Sequence, residues 1–154
     1  LHAVYVPSSF DINNITPWGS HPDLDPLWST EGLEIRHDGL ERCRLEKIQR
    51  LAEDLVVLRH LRVCNRSPTG LYNCGRCAKC LPTMLALDTV GALERCATFP
   101  DEVTELDVRA VYTWGLGGRL FMAELRDWWK EHDPEHDLLP LVETILAAED
   151  LPRP

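Results

Sequence analysis

No apolar stretch of this chain exceeds a few residues; Leu55 to Leu58 is typical of the longest. A membrane-spanning helix needs about 20 consecutive apolar residues, so none is expected. The chain does not open on a charged, then apolar, leader ending in a small-residue cleavage site, so export is not expected and the cytoplasm is the expected location. Positive charge is scarce: 16 Lys and Arg stand against 25 Asp and Glu, for a net charge of -9. An acidic chain repels phosphate backbones, so general nucleic-acid binding is disfavoured. Internal repeats and low-complexity segments are also missing. Solenoid and disordered classes are therefore set aside.

What remains is an ordinary globular composition over 154 residues, 44% apolar and 27% charged. A chain of this length buries about two thirds of its unfolded surface and needs no disulfides to fold. Charge is unevenly placed. Residues 1–63 carry 7 basic and 10 acidic side chains, residues 64–96 carry 4 and 2, and residues 97–154 carry 5 and 13. The one positive stretch holds most of the cysteines and can meet a small anion such as a nucleotide. The first residue is Leu1 rather than Met, and the chain reads as part of a longer one.

Ala3-Val4-Tyr5-Val6 reads as a short buried strand that exits through the turn-forming Pro7-Ser8-Ser9. Residues 11–28 carry Pro17, Gly19, Pro22 and Pro26, which forbid a continuous helix. A loop of that length is more often functional than idle. Leu33 to His37 alternates apolar and polar and reads as a second strand. Arg44 to about Leu58 reads as one amphipathic helix, with Leu45, Ile48, Leu51 and Leu55 at helical spacing. His60 to Val63 reads as a third strand. Helices are expected over 77–90, ended by Gly91, and over 101–114, 119–130 and 138–148.

Six cysteines are present, and four of them follow the pattern C-x9-C-x2-C-x2-C: Cys64, Cys74, Cys77 and Cys80. A loop bent at Gly75 turns Cys74 and Cys77 toward one point. Cys80, three residues on in a first helical turn, lies on the same side, and Cys64 supplies the fourth corner. Four thiolates in a tetrahedron suit a structural zinc ion. An iron–sulfur cluster uses the same four thiolates and is the main rival. A redox C-x-x-C is overfilled by three cysteines in a register of three. Disulfides are not expected in a chain with no leader. Arg76 and Lys79 lie between the ligands and can offset the charge of the thiolates. Cys43 and Cys96 read as ordinary thiols.

These residues, in this order, resemble the C-terminal half of the 7-cyano-7-deazaguanine synthases, in the ATP-pyrophosphatase (PP-loop) superfamily. The order is a strand ending in Val6-Pro7-Ser8-Ser9, a loop with His21-Pro22-Asp23, a second strand, Arg44-Leu45-Glu46-Lys47-Ile48 opening a helix, and the four cysteines. The likeness covers about residues 3–96. Two departures stand out: the family's Gly-Arg-Asn turn is here Ser8-Ser9-Phe10, and residues 17–22 do not match its substrate loop. The resemblance therefore implies a relative with a different substrate.

It implies a partial Rossmann-like α/β sheet with a four-cysteine zinc site over residues 1–96; beyond it, the sequence pattern reads as a helical C-terminal extension over residues 97–154. It also implies an enzyme that uses ATP and magnesium to adenylate a small-molecule substrate, with a nucleophile then displacing AMP. Lys47 would be a cation for the phosphates. His21 would donate to a phosphate or substrate oxygen. Ser8, Ser9 and Ser20 would contact nucleotide or substrate, Ser8 and Ser9 from a strand's carboxyl end. Asp23 and Asp25 are magnesium candidates, and Trp18 and Trp28 candidate pocket walls. The family's Ser-Gly-Gly-x-Asp-Ser phosphate loop does not occur in these 154 residues and is expected upstream of Leu1, so this chain alone is expected to be inactive. The alternative reading is a non-catalytic, zinc-stabilised binding or assembly module.

Three further features read as structural. Pro134 breaks the helix that would align His132 and His136, so residues 132–136 read as a solvated loop. Gly115-Leu116-Gly117-Gly118-Arg119 follows a helix rather than a strand and reads as a helix–helix turn. Trp128 and Trp129 read as split between the core and a contact surface, where an N-terminal half or a second copy would pack against the apolar helices.

Overall fold

The computed structural model describes residues 2–17, 19–67, 72–100, 102–112 and 115–148. The chain falls into two compact units, Leu1–Glu46 and Lys47–Pro154.

The first unit is built on two parallel strands, β1 (Ala3–Pro7) and β2 (Glu34–Asp38). The register runs from Ala3 opposite Glu34 to Pro7 opposite Asp38, so both strands reach their carboxyl ends together. Hydrogen bonds beyond the strand ends extend the pairing, from the Ser8 N–H to the Asp38 carbonyl at 2.7 Å and from the Glu34 N–H to the His2 carbonyl at 2.9 Å. Gly39 then turns the chain at φ 83°, a left-handed conformation that suits glycine. Parallel strands need a long crossover. Here it holds two single 3-10 turns, Ile12–Asn14 and Asp25–Trp28, which is what its prolines allow.

The second unit is helical. The helices are α1 (Arg44–Leu51, which begins in the first unit), α2 (Leu55–His60), α3 (Cys80–Thr89), α4 (Glu105–Tyr112), α5 (Gly115–His132) and α6 (Leu139–Ala147). Eight consecutive residues of α3, Cys80 to Leu87, are buried. A helix apolar all round is a core helix. It packs on α4 and α5, and α5 packs on α6. Val108, Val111, Met122, Leu125 and Val142 complete the interior and are fully buried. Trp129 is buried while Trp128 is half-buried, the division expected between core and surface. Leu55, Val56, Leu106 and Leu116 remain exposed on the helices. No helix among the described residues is long and apolar enough to cross a membrane.

Three expectations need correction. The helix expected over 44–58 is two helices. The Asp54 carboxylate accepts from the Val56 and Val57 N–H groups and starts α2 afresh, the usual competition between an Asp cap and helix continuity. The strand expected at 60–63 does not form. Its polar backbone groups are met by side chains instead: Asn73 and Thr98 donate to the Leu61 carbonyl, and the Asn73 side-chain oxygen accepts from Val63 and Cys64. The glycine-rich segment is not a helix–helix turn but opens α5, with Gly115 at φ 71° leading in. The chain is thus a mixed α/β protein with a small two-strand parallel sheet.

Candidate metal centre

Cys64, Cys74, Cys77 and Cys80 converge, and their sulfurs all lie within 4.8 Å of one another. The Sγ–Sγ separations are 3.8 Å for Cys64–Cys77, 3.8 Å for Cys74–Cys80 and 3.5 Å for Cys77–Cys80. A tetrahedron of sulfurs with metal–sulfur bonds of about 2.3 Å has edges of about 3.8 Å. All six cysteines are free thiols. Cys64 and Cys80 are buried, and Cys74 and Cys77 are half-buried. Among the described residues this is the one group of three or more His, Cys, Asp or Glu placed to hold a metal ion.

The local sequence produces this convergence. Gly75 sits at φ 71°, and a Cβ there would come within 3.0 Å of Pro100. The turn between Cys74 and Cys77 therefore requires glycine twice over, for its backbone angle and for the close approach. The Leu81 N–H donates to the Cys77 carbonyl, so the turn runs directly into α3 and carries Cys80 in on its first residue. Cys64 is fixed from outside the loop by Asn73, which is buried and bridges Leu61, Val63, Cys64 and Thr98. Asn73 is a residue sequence reasoning missed. Its signal was its place directly before Cys74, where an amide can tie the ligand loop to the segment bearing Cys64.

The surroundings treat Cys74, Cys77 and Cys80 unequally. The Arg76 N–H holds the Cys74 thiol below its usual range against the effect of burial. Burial raises Cys77, but the N–H groups of Lys79 and Cys80 outweigh it, and the net shift is downward. Burial, reinforced by the neighbouring Cys77 sulfur, pushes Cys80 up to about 12. A divalent ion reverses that last preference, because a coordinating thiol is deprotonated outright. Arg76 and Lys79, between the ligands in sequence, are exposed. Cys96 is buried and its thiol donates to the Leu58 carbonyl at 3.2 Å, so it is an ordinary core thiol.

The other candidate residues are distributed as follows. Ser8 closes a local turn, its hydroxyl bonding the carbonyl and N–H of Phe10, and Ser9 is exposed beside it. Ser20 donates to Asp25 at 2.8 Å. His21 is half-buried, and its Nδ1 accepts from the Asp23 N–H at 3.1 Å. Asp23 is exposed. Asp25 is buried and its oxygens are taken by Ser20, by the His21 N–H and by His37, so it is not free for magnesium. Lys47 is half-buried on α1. Trp28 is 73% exposed, while Trp18 lies outside the described residues. His132 and His136 stack on Trp128 and Trp129 and do not converge on a metal.

Asp25 and His37 were also missed as a pair. His37 Nδ1 lies 2.6 Å from Asp25 Oδ2. The alternation of β2 was the available signal, because it puts His37 on the same face as Ile35 and so inward.

No family model, no curated protein and no solved structure matches the chain.

Proposed function

We propose that the four thiolates hold one structural zinc ion, and that the protein belongs with the ATP-dependent adenylating enzymes of the PP-loop type. The observation that carries the zinc reading is the mutual approach of the four sulfurs to within 4.8 Å. That spacing suits a single ion at the centre of the four sulfurs. Four protein ligands leave no open position, so the ion's work is to fasten the segment at Cys64, the loop and the start of α3 to one another.

The adenylating reading rests on the resemblance over residues 3–96 and is supported by the parallel pairing of β1 with β2. Ligands of α/β sheets bind beyond the carboxyl ends of the strands. Ser8 and Ser9 follow the carboxyl end of β1 and would contact nucleotide or substrate there. Lys47 would neutralise phosphate charge. Ser20 and His21 would orient the substrate. Magnesium would supply charge neutralisation on the phosphates when bound, and the sheet would extend into a Rossmann-like one. The partner is a small molecule, and the cytoplasm, which keeps thiols reduced, suits the site.

Metal content and ATP binding, measured together on the intact protein that carries the phosphate loop expected upstream, test both parts. About one zinc per chain and an ATP affinity that falls in Lys47→Ala are expected. Zinc with no ATP binding would leave the metal reading standing and favour a non-catalytic, zinc-stabilised module. Absence of metal would overturn the first part.

A further inference from the structure

The segment that carries the four converging thiols carries no acid. Residues 55–87 hold Arg59, Arg62, Arg66, Arg76 and Lys79 and no Asp or Glu, while the rest of the chain holds 11 basic and 25 acidic side chains. All five cations are exposed, and none forms an ion pair among the described residues. Elsewhere Arg36, Arg50, Arg126 and Lys130 each pair with a carboxylate. Exposed cations without counter-charges attract an anion from outside.

The thiolate centre gathers three of the five. The Arg66 N–H donates to the Cys64 sulfur at 3.4 Å, the Arg76 N–H to Cys74 and the Lys79 N–H to Cys77. The four sulfurs lie within 4.8 Å of one another, so three cationic side chains start from the rim of one cluster. Tyr72 stands on the same loop, close before Cys74, and is 49% exposed.

Ring and cations together decide the class of anion. The planar fork of Arg matches phosphate oxygens, and several separated cations meet several phosphates. An exposed aromatic ring offers a face on which a base stacks. An acidic peptide would use the cations and leave the ring idle. A duplex keeps its bases stacked on one another and offers none to the ring. The net charge of -9 opposes contact over the whole surface, but charges are screened beyond about 8 Å at physiological ionic strength, so the acid-free surface acts locally.

We infer that the surface around the thiolate centre, formed by Arg66, Tyr72, Arg76 and Lys79, binds a single-stranded nucleic acid, with the cations on its phosphates and the Tyr72 ring stacked on a base. This goes beyond the adenylating reading and does not depend on it.

Fluorescence anisotropy of labelled strands with the intact, metal-loaded protein tests it. The probes are oligothymidine and oligouridine of about 12 nucleotides, a DNA duplex of the same length, and polyglutamate. Saturable binding of one or both single strands is expected, the tighter marking the strand the site takes, with duplex and polyglutamate at least tenfold weaker. Three neutralised phosphates give a slope of about -2 for log affinity against log salt. Tyr72→Ala is expected to weaken binding roughly tenfold and keep that slope, whereas Arg76→Ala should make it shallower by about 0.7. Both side chains are exposed, and unchanged metal content confirms that each variant folds. Saturating ATP should leave strand binding in place. No saturable binding of either strand, equal binding of duplex or polyglutamate, full affinity in Tyr72→Ala, or displacement by ATP would overturn the site. Metal content and ATP binding are separate readouts, so failure here leaves the proposed function untouched.

Discussion

The two units hold their shape by opposite means. In the second unit α3 is buried over eight residues, and Val108, Val111, Met122, Leu125 and Val142 close around it without exposure. In the first unit, among the described residues before Leu45, the one residue buried as a whole is a carboxylate, Asp25. One unit rests on apolar burial and a ring of thiolates, the other on a backbone ladder and a network around one charge. Apolar contacts are non-directional and tolerate small shifts. A buried charge holds only while its partners stay in place. The second unit should therefore respond to lost volume and lost metal, and the first to lost charge.

The largest effect should come from the thiolates. Cys77→Ser removes one ligand of four, and because metal binding is coupled to folding of the loop, a loss of several kcal/mol is expected. Thermal denaturation with metal analysis checks it; an unchanged melting temperature would remove the structural role. Next comes Leu85→Ala in the middle of α3, where the side chain is fully buried. A cavity there should cost about 2–5 kcal/mol in denaturant unfolding, with zinc content unchanged.

Asp25→Asn should act in the first unit alone. The Asp25 carboxyl is held below its ordinary value, chiefly by His37. The stability it contributes is therefore present above the unfolded-state value and lost as pH falls through the lower folded value. The gap between wild type and variant should be full at neutral pH and close in acid. Hydrogen exchange of residues 20–28 measures it, and a gap that widens on acidification would reverse the assignment. The smallest effect expected is Asp54→Ala, at about 1 kcal/mol, through loss of the cap on α2.

The legible parts of the molecule were those set by short-range pattern. Three of the four cysteines were readable because x2 spacings and Gly75 bring Cys74, Cys77 and Cys80 together, and Cys64 was the nearest thiol to supply the fourth corner. The strands β1 and β2, the helices α3, α4 and α6, the later part of α5 and the stop at Gly91 followed from apolar runs and glycine position, while the glycines at 115–118 hid the start of α5. What escaped depended on side chains satisfying backbone far along the chain. Asn73 and Thr98 meet the backbone of residues 61–64, and nothing local in Leu61-Arg62-Val63 says that a ladder is unnecessary. Asp54 could have continued a helix as easily as capped one. The Asp25–His37 pair joins residues twelve apart, one in a single 3-10 turn and one in a strand, so neither residue announces the other.

X-ray absorption at the zinc edge of the purified protein tests the central claim most directly. One zinc per chain with four sulfur neighbours at about 2.3 Å is the predicted result. A chain without zinc, or a zinc ion bound by nitrogen and oxygen in place of sulfur, would contradict it.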